Sequence, residues 1–203
     1  MNNYLIGFCG GSGAGKTTLV SQLLNHYGNK AVAIELDSYY KDSPGLTFKE
    51  REKINFDHPD SFDIDLLKEH LILLKSGNEI KKPIYDFKTH KRQKNTNTIN
   101  PNTLIFLEGT LIFYFIELIN IINLKIFIET KESVRYQRRI DRDIKQRGRA
   151  ITNVKKQYQN TVKPMHEKYI DPLKSVADVI ISGELDIVDS ANRIIKKIDL
   201  LRS

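Results

Sequence analysis

The chain carries the segment Gly10-Gly11-Ser12-Gly13-Ala14-Gly15-Lys16-Thr17, which fits the pattern G-x-x-x-x-G-K-[ST] between an apolar run and an amphipathic one. In such a loop, glycines let successive backbone N–H groups turn inward toward phosphate oxygens. The helix that follows directs the positive end of its dipole at the same anions. We therefore expect a phosphate-binding loop (P-loop), in which the Lys16 ammonium reaches the β- and γ-phosphates and the Thr17 hydroxyl is a ligand for Mg²⁺. The expected nucleotide-binding residues are Gly10, Gly11, Ser12, Gly13, Ala14, Gly15, Lys16, Thr17 and Thr18.

The rest of the chain alternates apolar runs with helical periodicities, which is typical of a parallel α/β sheet. The runs are rich in β-branched and aromatic residues, as strands covered on both faces should be. The predicted strands are residues 4–8, 31–36, 103–107, 125–129 and 176–181. The predicted helices are residues 17–27, 65–75, 132–146, 153–169 and 186–201. The sequence therefore predicts an α/β fold with a five-stranded parallel sheet and helices on both faces.

Two further segments have a definite interpretation. The most apolar stretch, residues 109–122, contains Glu117 and Asn120 and is too short and too polar to span a bilayer, so we predict a buried helix. Residues 81–87 and 96–99 predict a two-stranded β-hairpin arm, covering about residues 79–100, inserted on the βα scaffold. Insertions of this kind often carry binding groups.

Cellular location is indicated by the first residues and by cysteine usage. Residues 1–4 show no basic region ahead of a long apolar run, so we expect no signal peptide. The single cysteine, Cys9, rules out an internal disulfide and agrees with a reducing compartment. We therefore expect a cytoplasmic protein that does not enter a membrane, and we assign Cys9 no chemical role.

Positive charge is concentrated in one segment. Residues 131–156 hold ten basic and three acidic side chains, a local excess equal to the net charge of +7 of the whole chain. A basic segment of this kind is typical of a nucleic-acid footprint, of a solvated helix face or of a phosphate clamp, and composition alone leaves the three open.

The strand ends narrow the class of P-loop protein. A GTP-binding switch needs N/T-K-x-D, whereas this chain has Thr130-Lys131-Glu132-Ser133. Motors and helicases carry an Asp-Glu pair where the third predicted strand ends here in Glu108-Gly109, and a single carboxylate can still hold Mg²⁺ directly or through water.

Asp37 follows the second predicted strand, whose carboxyl end we expect beside the P-loop. In that place its carboxylate would face the crevice where ligands bind and would accept a proton from an attacking hydroxyl or ligate the metal. Because Asp and Ser also cap helices well, the residue types alone leave a capping role for Asp37-Ser38 open.

Taken together, the motifs resemble those of the uridine kinase (uridine/cytidine kinase) family of P-loop kinases over nearly the whole chain. Besides the P-loop, the resemblance is carried in order by residues 37–42, 55–63, 83–92, 107–109, 138–149, 157–158, 162–166 and 177–181. It implies a single P-loop kinase domain over residues 1–203, of the nucleoside/nucleotide kinase-like P-loop NTPase fold. It also implies a homo-oligomer, namely a homotetramer.

The resemblance assigns roles to particular residues. Asp37 would be the base for the 5′-hydroxyl and a metal partner. Asp57 and Arg149 would hold the ribose hydroxyls, with Arg139 and Gln157 near the sugar. Tyr85 and His90 would address the pyrimidine edge, and the base pocket would be walled by Tyr40, Phe56 and Phe87. These residue types suit the task, because aromatic faces stack on bases and a histidine can hydrogen-bond the 4-position of uracil or cytosine.

The basic segment then becomes an Arg-rich lid over about residues 138–157, with Gly148 as a hinge. Arginines that close over a triphosphate neutralise charge on the transferring group and exclude water. The expected catalytic residues are Lys16, Asp37, Arg142 and Arg147. The expected metal ligands are Thr17, Asp37 and Glu108.

The expected reaction is transfer of the γ-phosphoryl of ATP or GTP, with Mg²⁺, to the 5′-hydroxyl of uridine or cytidine, giving UMP or CMP in pyrimidine salvage. Residues 129–133 and 183–186 depart from the family pattern, and the second departure leaves the purine of the donor open. Two rivals stay in view: a phosphoribulokinase-like or pantothenate kinase-like enzyme, and a basic nucleic-acid-binding protein. The arm with Tyr85 and His90 argues against the first rival, and the second predicts tight oligonucleotide binding that weakens steeply with salt.

Overall fold

The computed structural model describes residues 3–202, so part of the segment used to judge a signal peptide lies outside it. One sheet of five parallel strands forms the centre, in the order β2-β5-β1-β6-β7. A separate antiparallel pair is formed by β3 and β4. The strands are β1 (Tyr4–Cys9), β2 (Ala31–Glu35), β3 (Ile80–Asp86), β4 (Lys91–Ile99), β5 (Leu104–Gly109), β6 (Leu124–Glu129) and β7 (Val179–Ser182).

Helices cover both faces of the central sheet, as the sequence predicts. The helices are α1 (Lys16–Tyr27), α2 (Phe48–Arg51), α3 (Ile64–Lys75), α4 (Ile116–Ile119), α5 (Glu132–Lys145), α6 (Ile151–Gln157), α7 (Lys163–Met165) and α8 (Ile187–Arg202). Neighbouring strand residues such as Leu5 and Ile6 belong to two different buried clusters, because successive side chains point to opposite faces. The sheet is therefore packed on both sides.

Strand order determines how Asp37 comes near the P-loop. The strand that precedes Asp37, β2, does not adjoin the P-loop strand β1, because β5 lies between them. Glu35 at the end of β2 pairs in register with Glu108 of β5, and Gly109 of β5 pairs with Cys9 of β1. The carboxyl ends of the three strands meet at one edge of the sheet, which brings Asp37 near the P-loop across β5.

The expected helix over residues 109–122 is wrong. Only α4, a single turn, is helical there, and the preceding residues form a turn in which the Tyr114 N–H donates to the Leu111 carbonyl at 2.9 Å. Leu111, Ile112 and Phe113 are consecutive and all buried. Three adjacent side chains cannot share one helix face, so the apolar run reflects a turn packed on several sides.

The expected helix over residues 153–169 is also different in kind. The chain is helical from Ile151, but two π-helical turns, Tyr158–Val162 and His166–Ile170, flank the short α7. Pro164 lies in α7 and lacks the N–H that an α-helical hydrogen bond needs, which favours such local widening. The helical path continues to Val176, so β7 begins three residues later than the predicted strand.

The predicted hairpin arm is confirmed as β3 and β4. Arg92 ties it to the main body: its Nε donates to the Tyr40 carbonyl at 2.7 Å and its Nη1 bonds the Asp63 carboxylate at 3.0 Å. At the tip, His90 has φ +53°, a left-handed conformation that a non-glycine residue seldom adopts.

No helix between residues 3 and 202 is long and apolar enough to cross a membrane.

Candidate active site

The P-loop wraps around the Lys16 ammonium. Gly13 has φ +80°, and a Cβ there would lie 2.4 Å from the Arg135 carbonyl oxygen, so only glycine fits. Lys16 Nζ donates to the carbonyls of Gly10 at 2.8 Å and Gly11 at 3.0 Å. Burial lowers the pKa of Lys16, while the Glu108 carboxylate opposes the shift. The loop thus holds a buried cation at its centre, as phosphate binding requires.

Oxygen donors gather directly beside this cation. The Thr17 hydroxyl donates to the Glu108 carboxylate at 2.9 Å, and burial raises the pKa of Glu108 although Lys16 opposes it. Asp37 lines the same space. We call this space the P-loop cavity; its lining is Ser12, Lys16, Thr17, Glu35, Asp37, Ser38, Phe87, Glu108, Gly109, Thr110 and Arg142.

Mg²⁺ fits this donor set. A hydroxyl and carboxylates are the hard oxygen ligands that the ion prefers, and the raised pKa of Glu108 indicates a carboxylate that a further cation would stabilise. Within residues 3–202 no group of three or more His, Cys, Asp or Glu side chains is arranged to hold a metal by itself.

A second space adjoins the P-loop cavity and shares Ser12, Asp37, Phe87, Thr110 and Arg142 with it. Every residue that the sequence assigned to the substrate lines this aromatic cavity. Its lining is Ser12, Asp37, Tyr40, Phe56, Asp57, Tyr85, Phe87, His90, Thr110, Arg139, Arg142, Arg147, Arg149 and Gln157. Asp37 therefore lies where the two cavities meet. It is not a cap, because the turn Leu36–Tyr39 has Glu35 as its N-cap.

Aromatic rings form one side of the aromatic cavity. Tyr40 packs 5.0 Å from Tyr85 and 5.2 Å from Phe56, between ring centroids. Phe56 stacks on His90 at 4.9 Å with an interplanar angle of 12°. The buried Tyr85 hydroxyl has no hydrogen-bond partner among the described residues, so it is available to a bound molecule. Burial, with the nearby Arg149, lowers the pKa of His90 and favours the neutral ring.

The opposite side of the aromatic cavity is polar. Arg139 donates to the Ser12 hydroxyl at 3.0 Å and to the Gln157 side-chain oxygen at 3.2 Å, and lies 3.8 Å from the Asp57 carboxylate. Arg149 donates to the same Gln157 oxygen at 2.7 Å. Burial raises the pKa of Asp57, and Arg139 opposes it. A carboxylate beside guanidiniums suits a diol, which can both donate and accept.

Sequence reasoning gave no role to Asp143, which is fully buried and contacts four arginines. Burial alone would raise the pKa of Asp143, yet the guanidiniums of Arg139, Arg142 and Arg147 hold it below its ordinary value. Thr110, which lines both cavities, was also missed. Both residues could have been noticed in the sequence. Thr110 directly follows Glu108-Gly109, and Asp143 is an acidic residue within a run of arginines.

Arg138 lies apart from the other arginines. Its Nη1 donates to the Gly183 carbonyl at 3.0 Å, on the side of the P-loop away from the aromatic cavity. There it lines a third cavity together with Gly15, Thr18, Leu185 and other residues. Cys9 is buried, and burial raises the pKa of its thiol to about 12.

A histidine behind the P-loop makes stability depend on pH. A Cβ added at Gly11 would lie 2.9 Å from His166 Nδ1 and 2.8 Å from Arg135 Nη1, and neither nitrogen has a hydrogen-bond partner among the described residues. Burial, followed by the charge of Arg135, lowers the pKa of His166 from 6.5 to about 4. Between about pH 4 and 6.5 the His166 ring is therefore neutral in the folded protein and protonated in the unfolded chain.

We therefore expect His166 to reduce the free energy of unfolding by up to about 3 kcal/mol as pH falls from 6.5 to 4. Its contribution is constant above that window, where the ring is neutral in both states. Urea unfolding at several pH values measures the slope, which His166→Gln should reduce. The exposed His26 offers the control His26→Gln, which should keep the wild-type slope. Equal slopes for His166→Gln and the wild type would contradict the prediction.

Comparisons with known proteins identify the family of the chain. The model of the Phosphoribulokinase / Uridine kinase family matches residues 5–186. A uridine kinase of Clostridium novyi (strain NT) is 48% identical over 182 residues, which are 89% of this chain and 88% of that protein. A uridine kinase of Brevibacillus brevis is 48% identical over 181 residues, or 89% and 85% of the two chains. The solved phosphoribulokinase from Rhodobacter spheroides shares the fold, with a TM-score of 0.65 at 16% identity over 89% of this chain and 70% of its own.

Proposed function

Because the chain belongs to the Phosphoribulokinase / Uridine kinase family, we propose that it transfers the γ-phosphoryl group of a nucleoside triphosphate to the 5′-hydroxyl of uridine or cytidine, giving UMP or CMP. One observation carries this proposal: Asp37 lies at the junction of the P-loop cavity and the aromatic cavity. A nucleoside in the aromatic cavity would present its 5′-hydroxyl to that carboxylate and to the phosphates at once. The curated relatives are named uridine kinases, which agrees with a nucleoside as the acceptor.

Asp37 acts as the base in this proposal. It takes the proton of the 5′-hydroxyl as the new O–P bond forms and as the bond to the leaving diphosphate breaks. Lys16, Arg142 and Arg147 stabilise the negative charge on the transferring group. Thr17, Asp37 and Glu108 would hold Mg²⁺, which supplies electrostatic neutralisation of the phosphates when bound. Residues 138–157 would act as a lid that excludes water.

Nucleoside recognition follows from the two sides of the aromatic cavity. Tyr40, Phe56 and Phe87 pack against the base, and the unpartnered Tyr85 hydroxyl bonds its edge. A neutral His90 has one donor and one acceptor nitrogen, so it suits either the carbonyl of uracil or the amine of cytosine. Asp57 and Arg149 hold the ribose hydroxyls, and Arg139 and Gln157 fix these partners in place.

The third cavity, beside Gly15 and Thr18, is where we propose the purine of the donor lies. The departure at residues 183–186 borders it through Gly183 and Leu185, so either ATP or GTP stays in the proposal. A role in pyrimidine salvage, a cytoplasmic location and a homotetramer stay predictions from the sequence.

The experiment is a measurement of ADP release from ATP and Mg²⁺ with uridine, cytidine, thymidine, adenosine, pantothenate and ribulose 5-phosphate. We expect turnover with uridine or cytidine alone, and none in the Lys16→Ala variant. Turnover with pantothenate or ribulose 5-phosphate would keep a P-loop kinase and overturn the nucleoside pocket.

The nucleic-acid alternative predicts oligonucleotide binding that weakens steeply with salt. It is disfavoured because Arg139, Arg142, Arg147 and Arg149 converge on one buried carboxylate.

His90 should determine how well the pyrimidine is used. We expect His90→Ala to lower kcat/KM for uridine by about 50-fold, mostly through KM, because the base loses a hydrogen bond and Phe56 loses the ring on which it stacks. Steady-state kinetics with uridine and cytidine measure the effect, and His26→Ala is the matched control at an exposed site. Unchanged kcat/KM values for both nucleosides would remove His90 from the base site.

A further inference from the structure

The arginines of the site share one buried counter-ion, Asp143, whose side chain is 0% exposed. Its Oδ1 accepts from Arg142 at 2.8 Å and lies 3.5 Å from Arg147 Nη1. Its Oδ2 lies 3.4 Å from Arg149 Nη1 and 3.7 Å from Arg139 Nε. The Arg149 backbone N–H also donates to the Asp143 carbonyl at 3.1 Å. A single residue therefore contacts both α5 and the turn that follows it.

The same guanidiniums also reach the two cavities. Arg139 and Arg142 donate to the P-loop hydroxyl of Ser12 at 3.0 and 3.4 Å. Arg147 lies 4.3 Å from the centre of the Phe87 ring, so its charge faces an aromatic wall. Within the described residues Asp143 lines neither cavity. Any effect on the reaction therefore passes through the arginines.

The balance of charge around Asp143 favours a role in orienting the four arginines. One carboxylate faces four guanidiniums, so it cannot neutralise the cluster, and the remaining positive charge is left for an anion in the cavities. A carboxylate buried in this way loses its hydration, and such groups are retained where geometry matters more than stability. Without it, the arginines would repel one another and turn outward to water.

We infer that Asp143 is a positioning residue that holds Arg139, Arg142, Arg147 and Arg149 toward the transferring phosphates, an inference that rests on the proposed kinase function. Asp143 also competes with phosphate for the same N–H groups. Removing its charge should therefore bring two opposite effects. Polyphosphate should bind more tightly, while turnover falls because the guanidiniums no longer point at the reacting group.

The chain offers a matched control on the same helix. Asp141 is an exposed acid two residues earlier, and each of its carboxylate oxygens accepts a long hydrogen bond of 3.3 Å from the Gln137 amide. Asp141→Asn removes the same charge from α5 without touching the arginine cluster. Asp143→Asn keeps the shape of the side chain and its acceptor for Arg142.

The test compares kcat with uridine and the Kd of inorganic tripolyphosphate for the wild type, Asp143→Asn and Asp141→Asn. For Asp143→Asn we expect kcat to fall about 30-fold and tripolyphosphate to bind about threefold more tightly. Asp141→Asn should match the wild type in both. A lower melting temperature with unchanged kcat and unchanged tripolyphosphate affinity would mean a structural role only, and overturn the inference.

A second variant covers the case in which Asp143→Asn does not fold. Asp143→Glu keeps the charge but shifts the carboxylate by one methylene, so we expect kcat to fall about tenfold with tripolyphosphate affinity as in the wild type. Unchanged kcat would overturn the inference. If the wild type itself does not turn over any nucleoside, the proposed function fails. The tripolyphosphate comparison then still decides whether Asp143 controls the arginines.

Discussion

Replacing Asp37 by asparagine is expected to lower kcat with uridine by about 10³-fold. The amide has the same shape as the carboxylate but does not accept a proton from a hydroxyl and is a poor ligand for Mg²⁺. Asp37 lines both cavities, so a change there acts where the nucleoside and the triphosphate meet. The Kd of ATP should change by less than about threefold, because Lys16 and the P-loop backbone are untouched.

Single-turnover kinetics separate these two effects, and Asp42→Asn is the matched control. Asp42 is an exposed acid in the same segment that accepts a hydrogen bond from the Ser43 N–H at 3.0 Å. The Asp42→Asn substitution should leave kcat and the Kd of ATP unchanged. If Asp37→Asn kept full turnover, Asp37 would not be the base. If it lost ATP affinity instead, its main role would be with the metal and the donor.

The sheet could be predicted because its signals are local. Each strand is a short apolar run, and the P-loop between β1 and α1 fixes where the phosphate site must lie. Strand order is different, because nothing local in residues 31–36 indicates that β5, more than 60 residues later, inserts between β2 and β1. For that reason the sequence predicts where the strands lie along the chain but not the order in which they pair.

The aromatic cavity could be predicted only through ordered motifs. Tyr40, Phe56 and Tyr85 come from three separate segments, and Arg92 brings two of them together by bonding the Tyr40 carbonyl. Residue types alone would predict that each of these rings packs in the hydrophobic core. The resemblance supplied the grouping, and the structure places the grouped residues around one space.

Asp143 shows what the sequence could not provide. Two of its four partners, Arg139 and Arg147, lie four residues before and after it, a spacing that helical periodicity brings to one face. Arg149 joins them because α5 ends at Lys145 and the turn through Gly148, at φ +64°, folds back over the helix. Periodicity and the end of the helix together build the cluster, and the fold-back is the part that the sequence pattern does not indicate.

Replacing Lys16 by alanine is expected to lower kcat/KM for ATP by about 10³-fold or more. The ammonium is buried and bonds the carbonyls of Gly10 and Gly11, so its loss removes both a charge at the phosphates and a brace of the loop. Steady-state kinetics and ATP binding by calorimetry measure the effect. Lys30→Ala is the matched control, since Lys30 is an exposed lysine just after α1.

Lys16→Arg then separates charge from geometry. Arginine keeps the charge, but its planar fork is wider than an ammonium and does not fit between two loop carbonyls 2.8 and 3.0 Å from the present nitrogen. We expect it to lose activity about as severely as Lys16→Ala. If arginine restored a tenth or more of the wild-type kcat/KM, charge near the phosphates would suffice. The fit of Lys16 inside the loop would then contribute little to the reaction.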